Sequence, residues 1–230
     1  MKNILKEKPE TELNARLKES IKLVSDRDIK NKNVLDIGCG YGWFELNALS
    51  KGVKSITGME ISKEDLSTIK NNIKDKRLIL KVGSAIDLPF KDKSFDTVVC
   101  WEVIEHIPKD TENKMFSEVY RVLKTGGNFY LSTPYNHIVT NLFDPAWWLI
   151  GHRHYSKKQF YKYAKYNNFL VSIFKVKGRI WSSLSIVNLY FSKWILRRKP
   201  IFSFFFTKME NFEYNNDSGF VNIFAKFIKK

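Results

Sequence analysis

Short apolar runs, separated by stretches of helical spacing, make up the first 130 residues of the chain. The apolar runs lie at 34–37, 53–61, 78–82, 95–100 and 128–132, and they end in glycine or polar turns. Their length and their β-branched members are typical of strands buried in a parallel sheet. Helical spacing between these runs predicts a strand–helix alternation, and hence an α/β sheet with helices on both faces.

An amphipathic helix is predicted before the first strand. Pro9 opens it, and apolar residues follow on one helical face of residues 9–25, at Leu13, Leu17, Ile21 and Val24. A helix with one apolar face needs a surface to cover. We therefore expect the N-terminal helical segment, residues 1–30, to pack over the sheet or over the mouth of a ligand site.

A glycine-rich turn follows the first strand. It reads Asp36-Ile37-Gly38-Cys39-Gly40-Tyr41-Gly42-Trp43, with a glycine at every second position from 38 to 42. Glycine suits a turn that approaches a ligand, because it has no side chain and tolerates backbone angles that other residues avoid. A dinucleotide-binding turn has its third glycine where this chain has Trp43. The turn therefore predicts a ligand site that differs from a dinucleotide site.

An acidic residue ends the second predicted strand. Glu60 lies 24 residues after Asp36 and one strand–helix unit after the glycine turn. The two oxygens of a carboxylate can accept charge-assisted hydrogen bonds from two adjacent hydroxyls, such as those of a ribose. Because ligands of an open α/β sheet bind at the carboxyl ends of its strands, we expect Glu60 to bind a ribose beside the glycine turn.

Further motifs follow the glycine turn in order. They are 83–90 (Gly-Ser-Ala-Ile-Asp-Leu-Pro-Phe), 94–99 (Ser-Phe-Asp-Thr-Val-Val), 102–106 (Glu-Val-Ile-Glu-His) and 122–127 (Val-Leu-Lys-Thr-Gly-Gly). Together with the Asp-x-Gly-x-Gly-x-Gly turn, they resemble the class I S-adenosylmethionine (SAM)-dependent methyltransferases, and among these the subgroup that includes quinone and sterol methylating enzymes. The resemblance implies a Rossmann-like seven-stranded methyltransferase sheet, parallel except for one antiparallel strand, and SAM as the cofactor.

The resemblance places the cofactor site at the ends of four strands. Glu60 takes the ribose, Ser84 and Ala85 face the adenine, and Trp101 lies beside the sulfonium. The subgroup has aspartate where this chain has Ser84, so Ser84 departs from the pattern and offers the adenine a weaker hydrogen bond. The full predicted set is Asp36, Gly38, Cys39, Gly40, Glu60, Ile61, Ser84, Ala85, Trp101 and Glu102.

All four histidines fall in segments expected near the open end of the sheet, at His106, His137, His152 and His154. Methyl transfer to oxygen or carbon needs a base, and histidine suits that role because it titrates near neutral pH. We expect His106 to be the catalytic base, with His152 and His154 as the next candidates. Structural or surface roles for these histidines are the alternative.

The pair His152-x-His154 also has the spacing of half a metal site. The chain has 2 cysteines, Cys39 and Cys100, and no acidic cluster that matches the histidine pair. The cysteine spacing fits neither a disulfide framework nor a Cys-x-x-Cys metal pair. We therefore predict no metal site, and two reduced thiols near the cofactor, as in a cytoplasmic protein.

A long insertion is predicted between the last two strands. Strand six is expected at 169–174, and strand seven, which is antiparallel in the family, at 220–226. Residues 178–215 between them form a helical insertion, in which aromatic and aliphatic residues recur at helical spacing. Before strand six, residues 136–154 have no strand pattern and predict a long loop, followed by a helix capped by Ser156.

Positive charge is concentrated towards the C-terminus. Of the net charge of +15, residues 1–150 hold +2 (23 basic, 21 acidic) and residues 151–230 hold +13 (16 basic, 3 acidic). The basic run 197–199 follows an uncharged run at 180–192, which at 13 residues is too short to span a bilayer. Because basic residues beside aromatic ones suit the membrane interface, we expect residues 180–207 to contact an anionic membrane surface peripherally. Nucleic acid or an acidic substrate is the alternative partner.

These features predict a single methyltransferase domain over residues 1–230. The expected acceptor is a small apolar or membrane-associated molecule of lipid, quinone or polyprenyl type, because the insertion is aromatic and basic. An RNA methyltransferase is one alternative, although the Asn/Asp-Pro-Pro-Tyr/Phe motif of base-amine methylation is replaced here by Cys100-Trp101-Glu102-Val103. A SAM-binding protein without catalytic activity is another, since a fold does not determine function.

Overall fold

Seven strands form one mixed sheet in the part of the chain that the structure describes. This structure is a computed structural model and describes residues 8–9 and 13–230. The strands are β1 (Asn33–Ile37), β2 (Ser55–Glu60), β3 (Leu78–Val82), β4 (Phe95–Trp101), β5 (Leu123–Pro134), β6 (Phe169–Lys177) and β7 (Asn222–Lys229). Their order is β3-β2-β1-β4-β5-β7-β6, and only β7 runs antiparallel to its neighbours. The predicted Rossmann-like methyltransferase sheet is confirmed.

Helices cover both faces of the sheet. They are α1 (Ala15–Leu23), α2 (Trp43–Ser50), α3 (Ser67–Asn72), α4 (Glu112–Val122), α5 (Ile138–Phe143), α6 (Pro145–Ile150), α7 (Lys157–Tyr166), α8 (Ile180–Tyr190) and α9 (Ser203–Tyr214), with a 3₁₀ turn at Asp26–Asp28. Alternate residues of each strand enter two separate apolar clusters, because they point to opposite faces. Leu35 belongs to the cluster with α4 and α7, and Val34 to the cluster with α1, α2 and α3.

The N-terminal helix begins later than its sequence pattern predicts. Asn14 caps α1, and its side-chain oxygen accepts a hydrogen bond from the Leu17 amide at 3.0 Å. Leu17 is buried, and Arg16 forms an ion pair with Glu102, just after β4, at 2.7 Å. The helix therefore packs on the sheet beside the open end of β4. Residues 10–12 of the predicted helix lie outside the described residues.

The segment predicted as a long loop contains the short helices α5 and α6. Asp144 caps α6, a proline follows at the first helical position, and Gly151 ends the helix in the left-handed region at φ 69°. Helices of 6 residues have too few turns to show a period in the sequence, which is why the loop prediction is wrong. After β2, Ser62 closes a turn with Asp65, and α3 begins only at Ser67.

The insertion between β6 and β7 turns its serines inward. It consists of α8, a π-helical turn at Phe191–Ile195 and α9, which confirms the predicted helical insertion. Ser182, Ser183 and Ser192 are buried, whereas the Ile195 side chain is 69 % exposed. The apolar side chains of the insertion are therefore partly left at the surface. No helix in the described ranges is long and apolar enough to cross a membrane.

A buried carboxylate explains why the polar side of α8 faces inward. Glu213 of α9 accepts hydrogen bonds from the backbone amides of Arg179, Trp181 and Ser182 at 2.8, 2.8 and 3.0 Å. The Ser182 hydroxyl donates to the same carboxylate at 2.7 Å. These bonds satisfy the amides that the first turn of a helix leaves without partners. The packing of α8 against α9 thus includes buried polar contacts, beside a ring contact between Trp181 and Phe205 with centroids 5.3 Å apart.

Candidate cofactor and acceptor site

The glycine turn after β1 is tightly packed on one side and open on the other. Gly38 and Gly40 lie in the left-handed region, at φ 78° and 55°. A Cβ at Gly38 would lie 2.3 Å from Cγ2 of Val103, so only glycine fits there. A Cβ at Gly40 would meet no described atom within 4 Å. The turn thus forms an open cradle in which a ligand can approach the backbone.

Glu60 lies at the edge of this cradle. Its Oε1 accepts a hydrogen bond from the Gly40 amide at 2.7 Å, which ties the end of β2 to the glycine turn. Burial raises the pKa of Glu60, against the effect of this hydrogen bond. Next to it, the apolar Ile61 side chain is 64 % exposed. A carboxylate and an exposed apolar side chain fit the ribose and the adenine of SAM, respectively.

A tight turn at the end of β3 continues the cradle. The Gly83 amide donates to the Glu60 carbonyl oxygen at 2.9 Å, and a Cβ at Gly83 would lie 2.7 Å from Sδ of Met59. Ser84 and the buried Ala85 follow directly, beside the end of β2. The structure therefore brings both residues to the expected edge of the sheet. Their contact with adenine stays a prediction.

Asp36 lies beneath the glycine turn and not on its open side. Its side chain and that of Glu45 from α2 are both buried. Burial raises the pKa of both carboxyl groups well above their ordinary values, and nearby carboxylates raise them further. Cys39 and Cys100 are buried as well, and burial raises the pKa of each thiol.

The residues at the end of β4 are anchored to neighbouring elements. Trp101 is 6 % exposed and packs on Trp43 and Phe44 of α2, with ring centroids 6.3 and 5.7 Å away. Glu102 has φ 56°, and its Oε1 accepts a hydrogen bond from the Ser132 hydroxyl at 2.6 Å. The indole of Trp101 therefore sits in the apolar cluster of α2. Its contact with the sulfonium stays a prediction.

Two of the predicted histidines meet beyond the end of β4. The ring centroids of His106 and His152 lie 4.8 Å apart, and Nε2 of His152 lies 3.7 Å from Oε1 of Glu105. Nδ1 of His152 lies 2.8 Å from Oδ2 of Asp144. His106 is exposed, whereas the other three residues are buried. The cluster combines a buried carboxylate, one accessible imidazole and one imidazole that is held in place.

The charges of this cluster influence one another. Burial and the charge of Glu102 raise the pKa of Glu105 to about 8. Although burial acts in the opposite direction, the hydrogen bond to Asp144 raises the pKa of His152. Although its side chain is exposed, desolvation by the surrounding protein and the neighbouring His152 lower the pKa of His106 to about 4. The imidazole of His106 is therefore uncharged at neutral pH and has a lone pair for a proton or another ligand.

His154 joins this cluster through Asp144. Its Nε2 lies 2.8 Å from Oδ2 of Asp144, and its Nδ1 lies 2.7 Å from Oδ1 of Asn141. Both ring nitrogens are therefore occupied, so His154 lacks the free nitrogen that a base requires. The fourth histidine, His137, caps α5 with its Nδ1.

Glu105 and Asp144 complete the cluster, and sequence reasoning did not single them out. Glu105 lies inside a motif that carries the family resemblance, and Asp144 precedes a proline, which is a helix-start signal. Their meeting depends on a distant contact. The Arg153 guanidinium donates to the Ile104 carbonyl oxygen at 2.8 Å, and the Tyr155 hydroxyl lies 2.9 Å from the same oxygen. These bonds hold the segment after α6 against the loop after β4.

Comparison with known proteins gives one domain match and several partial relatives. Residues 35–131 match the family model of the methyltransferase domain. The chain is 32 % identical over 107 residues to the ubiquinone biosynthesis O-methyltransferase of Coxiella burnetii (strain RSA 493 / Nine Mile phase I). These 107 residues are 46 % of this chain and 44 % of that protein. It is 35 % identical over 109 residues to the tRNA U34 carboxymethyltransferase of Nautilia profundicola, covering 46 % and 35 %. The chain spans less than half the length of these relatives, whose names refer to different acceptors.

Solved structures share the fold over most of the chain. A S-adenosylmethionine dependent methyltransferase from Mesorhizobium loti has a TM-score of 0.66 at 14 % identity and covers 94 % of this chain and 98 % of its own. The [4+2]-cyclase SpnF has a TM-score of 0.64 at 17 % identity and covers 94 % and 80 %. At such identities the likeness shows the fold alone. The second name also shows that this fold serves a reaction other than methyl transfer.

Proposed function

We propose that this chain, which contains a class I SAM-dependent methyltransferase domain, methylates an apolar acceptor that it meets at an anionic membrane surface. SAM, when bound, supplies a methyl group that its sulfonium already activates. The protein has to hold the nucleophile of the acceptor in line with that methyl group. For an oxygen or carbon nucleophile it also has to remove a proton.

The cradle at the ends of β1, β2 and β3 supports the assignment of the donor site. Gly40 leaves room for the ligand, and Glu60 offers a carboxylate to the ribose hydroxyls. Ile61 offers an exposed apolar side chain for the adenine. These three features fit the nucleoside of SAM.

The histidine cluster beyond β4 supports an acceptor site at the neighbouring end of the sheet. We assign proton removal to His106, because its ring is the exposed imidazole of this cluster. His152 is the positioning residue beside it, since its Nδ1 is already held by Asp144 at 2.8 Å. His154, with both nitrogens occupied, has no part in proton removal.

An exposed apolar surface lies beside this acceptor side. It is formed by side chains of α5, α6, the π-helical turn and α9, together with the residue before α9, and we call it the apolar surface: Ile138, Leu142, Trp148, Leu149, Ile150, Phe191, Ile195, Phe202, Phe204 and Phe212. α8 packs against α5, α6 and α9, so these elements are neighbours. Large exposed apolar areas mark interaction sites. The exposed basic run 197–199 between α8 and α9 suits anionic lipid headgroups.

One carboxylate connects the apolar surface to the acceptor side, and this observation carries the proposal. Oδ1 of Asp144 accepts the Ala146 amide at 2.9 Å and caps α6, whose Trp148 is 65 % exposed. Oδ2 of the same carboxylate binds His152. The helix expected to enter the headgroup region is therefore attached to the imidazole that borders the acceptor.

Vesicle sedimentation tests the membrane part of the proposal. The wild-type protein should sediment with phosphatidylglycerol vesicles and stay in the supernatant with phosphatidylcholine vesicles. Leu149→Ser should weaken sedimentation, and the double variant Arg197→Glu/Arg198→Glu should abolish it, because it replaces cations with anions. Leu170→Ser is the matched control, since Leu170 is 51 % exposed on β6 and lies outside the apolar surface.

Transfer of labelled methyl from SAM tests the reaction. Lipids extracted from the source cell and placed in the same vesicles should become labelled, and the double variant should label them at a much lower rate. If the wild-type protein stays in the supernatant with anionic vesicles, presentation at a membrane is wrong. Labelling of bulk RNA with a steep salt dependence would instead favour an RNA acceptor, in keeping with the +13 charge of residues 151–230. Absence of any labelled product in a total cell extract would indicate a SAM-binding protein without catalytic activity.

A further inference from the structure

We propose that Glu105, His106 and His152 form a binding site for a divalent transition-metal cation at the acceptor end of the sheet. Each residue offers one ligand atom, and these atoms lie within 4.8 Å of one another. Ligands bound to one such cation at about 2.1 Å lie roughly 3.5 Å apart, so the three side chains need to approach by only about 1 Å. The proposal rests on the proposed function for the nature of the acceptor, but cation binding itself requires neither SAM nor an acceptor.

An unpaired buried oxygen points to the missing ligand. Oε1 of Glu105 has no hydrogen-bond partner among the described residues, and the side chain is 0 % exposed. Oε2 accepts a hydrogen bond from the Thr133 hydroxyl at 2.9 Å, which fixes the carboxylate. The free oxygen lies 3.7 Å from Nε2 of His152. Leaving such an oxygen without a partner is costly, and a cation between it and the two imidazoles would satisfy it.

His152 is oriented as a metal ligand usually is. Its Nδ1 lies 2.8 Å from Oδ2 of Asp144, so Nδ1 carries the proton and the lone pair of Nε2 faces Glu105. A carboxylate that binds the second nitrogen of a ligating histidine fixes its tautomer and raises its basicity. Asp144 is held in turn as the cap of α6. The orientation of His152 is therefore set by the protein before any cation binds.

In a second group of possible ligands in the same region, the ligand atoms already have hydrogen-bond partners within the protein. Asp144, His152 and His154 also lie close together, and all three are buried. Oδ2 of Asp144 already lies 2.8 Å from a nitrogen of each histidine, and the other nitrogen of His154 contacts Asn141. The role of this group is to hold His152 in place through the contact between Nδ1 of His152 and Asp144. The Glu105 group differs from it because His106 is exposed, which leaves a side open to solvent and acceptor.

The three proposed ligands limit which cations the site would bind and what the bound cation would do. Two imidazoles and one carboxylate suit manganese, iron, cobalt or zinc, and three protein ligands leave a coordination position free. A hydroxyl of the acceptor bound there would release its proton to solvent near neutral pH, because the cation lowers its pKa. The oxygen would then form its bond to the methyl carbon as the carbon–sulfur bond of SAM breaks and its electron pair stays on sulfur. With the cation bound, His106 is a ligand, so it can accept the proton of the acceptor only in the metal-free protein.

The proposed site departs from the expectation from the sequence that the chain has no metal site. That expectation considered only His152 and His154, which are neighbours in sequence. The proposed site takes His152 with two residues that lie more than 40 positions earlier. Only the fold brings these three side chains together.

Titration with cobalt(II) tests the site directly. Protein freed of metal by a chelator should bind one cobalt ion per chain, measured by calorimetry and by the visible absorption of the bound ion. Glu105→Gln and His106→Asn should weaken binding by at least tenfold, because each removes one ligand. Asp144→Asn should weaken it about 10- to 100-fold, as loss of an outer partner typically does. His137→Asn is the matched control, since asparagine also caps a helix and His137 lies outside the cluster.

The outcomes separate this proposal from the proposed function. If cobalt does not bind, or if Glu105→Gln and His106→Asn bind it as tightly as the wild-type protein, the site does not exist. Should Glu105→Gln fail to fold, the exposed His106 still provides the decisive variant, with thermal unfolding and SAM affinity as checks of its fold. The double variant Arg197→Glu/Arg198→Glu, which should no longer sediment with vesicles, should bind cobalt as tightly as the wild-type protein.

Discussion

Two parts of the open end of the sheet are built in different ways. One is the cradle of the glycine turn and Glu60, which we propose as the donor side. The other is the cluster of Glu105, His106, His152 and Asp144, which we propose as the acceptor side. On the donor side, backbone groups make the contacts: the amides of Gly38 and Cys39 donate to the Met59 carbonyl oxygen at 2.8 and 3.2 Å, and the Gly40 amide donates to Glu60. The groups involved lie within about 20 residues of one another and belong to adjacent strands. This side is therefore determined by a short stretch of chain with glycines at fixed places.

On the acceptor side, side chains from distant parts of the chain make the contacts. Glu105 meets His152 across 47 positions, and Asp144 joins them from the start of α6. The helices of this side are short or belong to the insertion, and they expose much apolar surface. Its geometry is therefore set by tertiary packing and not by a local motif.

The family match also extends differently over the two sides. The family match, residues 35–131, covers the glycine turn, Glu60 and Ser84 and ends before α5. The acceptors named by the relatives differ, and the part of the chain beyond residue 131 lies outside that match. We infer that the acceptor is selected by α5, α6 and the insertion.

The largest effect is expected from Gly38→Ala on the donor side. The new Cβ would lie 2.3 Å from Cγ2 of Val103. The alanine would also have to adopt the left-handed φ of 78° that Gly38 has. The combined strain and overpacking should lower the free energy of unfolding by about 3 kcal/mol, measured by urea denaturation. SAM binding, measured by calorimetry, should be lost.

Gly40→Ala is the matched control for that substitution. It has the same left-handed backbone but no neighbour within 4 Å in the described structure, so the cost in unfolding free energy should be only about 1 kcal/mol. Its methyl group would still enter the cradle and weaken SAM binding. Equal destabilisation by the two variants would mean that Val103 is not in contact with the turn.

An intermediate effect is expected from Glu213→Ala on the acceptor side. The substitution leaves the backbone amides at the start of α8 without their buried partner, which should cost about 2–3 kcal/mol of unfolding free energy. Vesicle sedimentation should weaken because α8 supports the apolar surface, whereas SAM affinity should stay unchanged. Lys208→Ala, at an exposed position of the same helix, serves as the control. A large loss of SAM affinity in Glu213→Ala would show that the two sides are coupled.

The smallest effect on stability is expected from Glu60→Ala, whose main effect is on the donor. Loss of charge-assisted hydrogen bonds to the ribose should weaken SAM binding about 10- to 100-fold, measured by calorimetry. Vesicle sedimentation should not change. Glu64→Ala, an exposed glutamate in the following turn, is the control. Unchanged SAM affinity in Glu60→Ala would place the ribose elsewhere.

Local patterns predicted the strands better than the short helices. Residues 78–82 form β3 as expected, because four of these five residues between turns are apolar, with Lys81 the exception. The helices α5 and α6 were predicted as a loop, since six residues show no period. In the insertion the helical spacing was read correctly, but the side facing inward depends on Glu213, more than 20 residues beyond the start of α8.

The sequence by itself determined the sheet, the glycine turn and the place of Glu60, because these depend on residues close together in the chain and on one strand–helix unit repeated. The tertiary structure decided which histidines meet, that Glu105 and Asp144 join them, and which side of the insertion is exposed. The physical reason is that these contacts join side chains that are far apart in the chain. Loops and short helices bring them together, and the pattern of neighbouring residues does not indicate which distant side chains will meet.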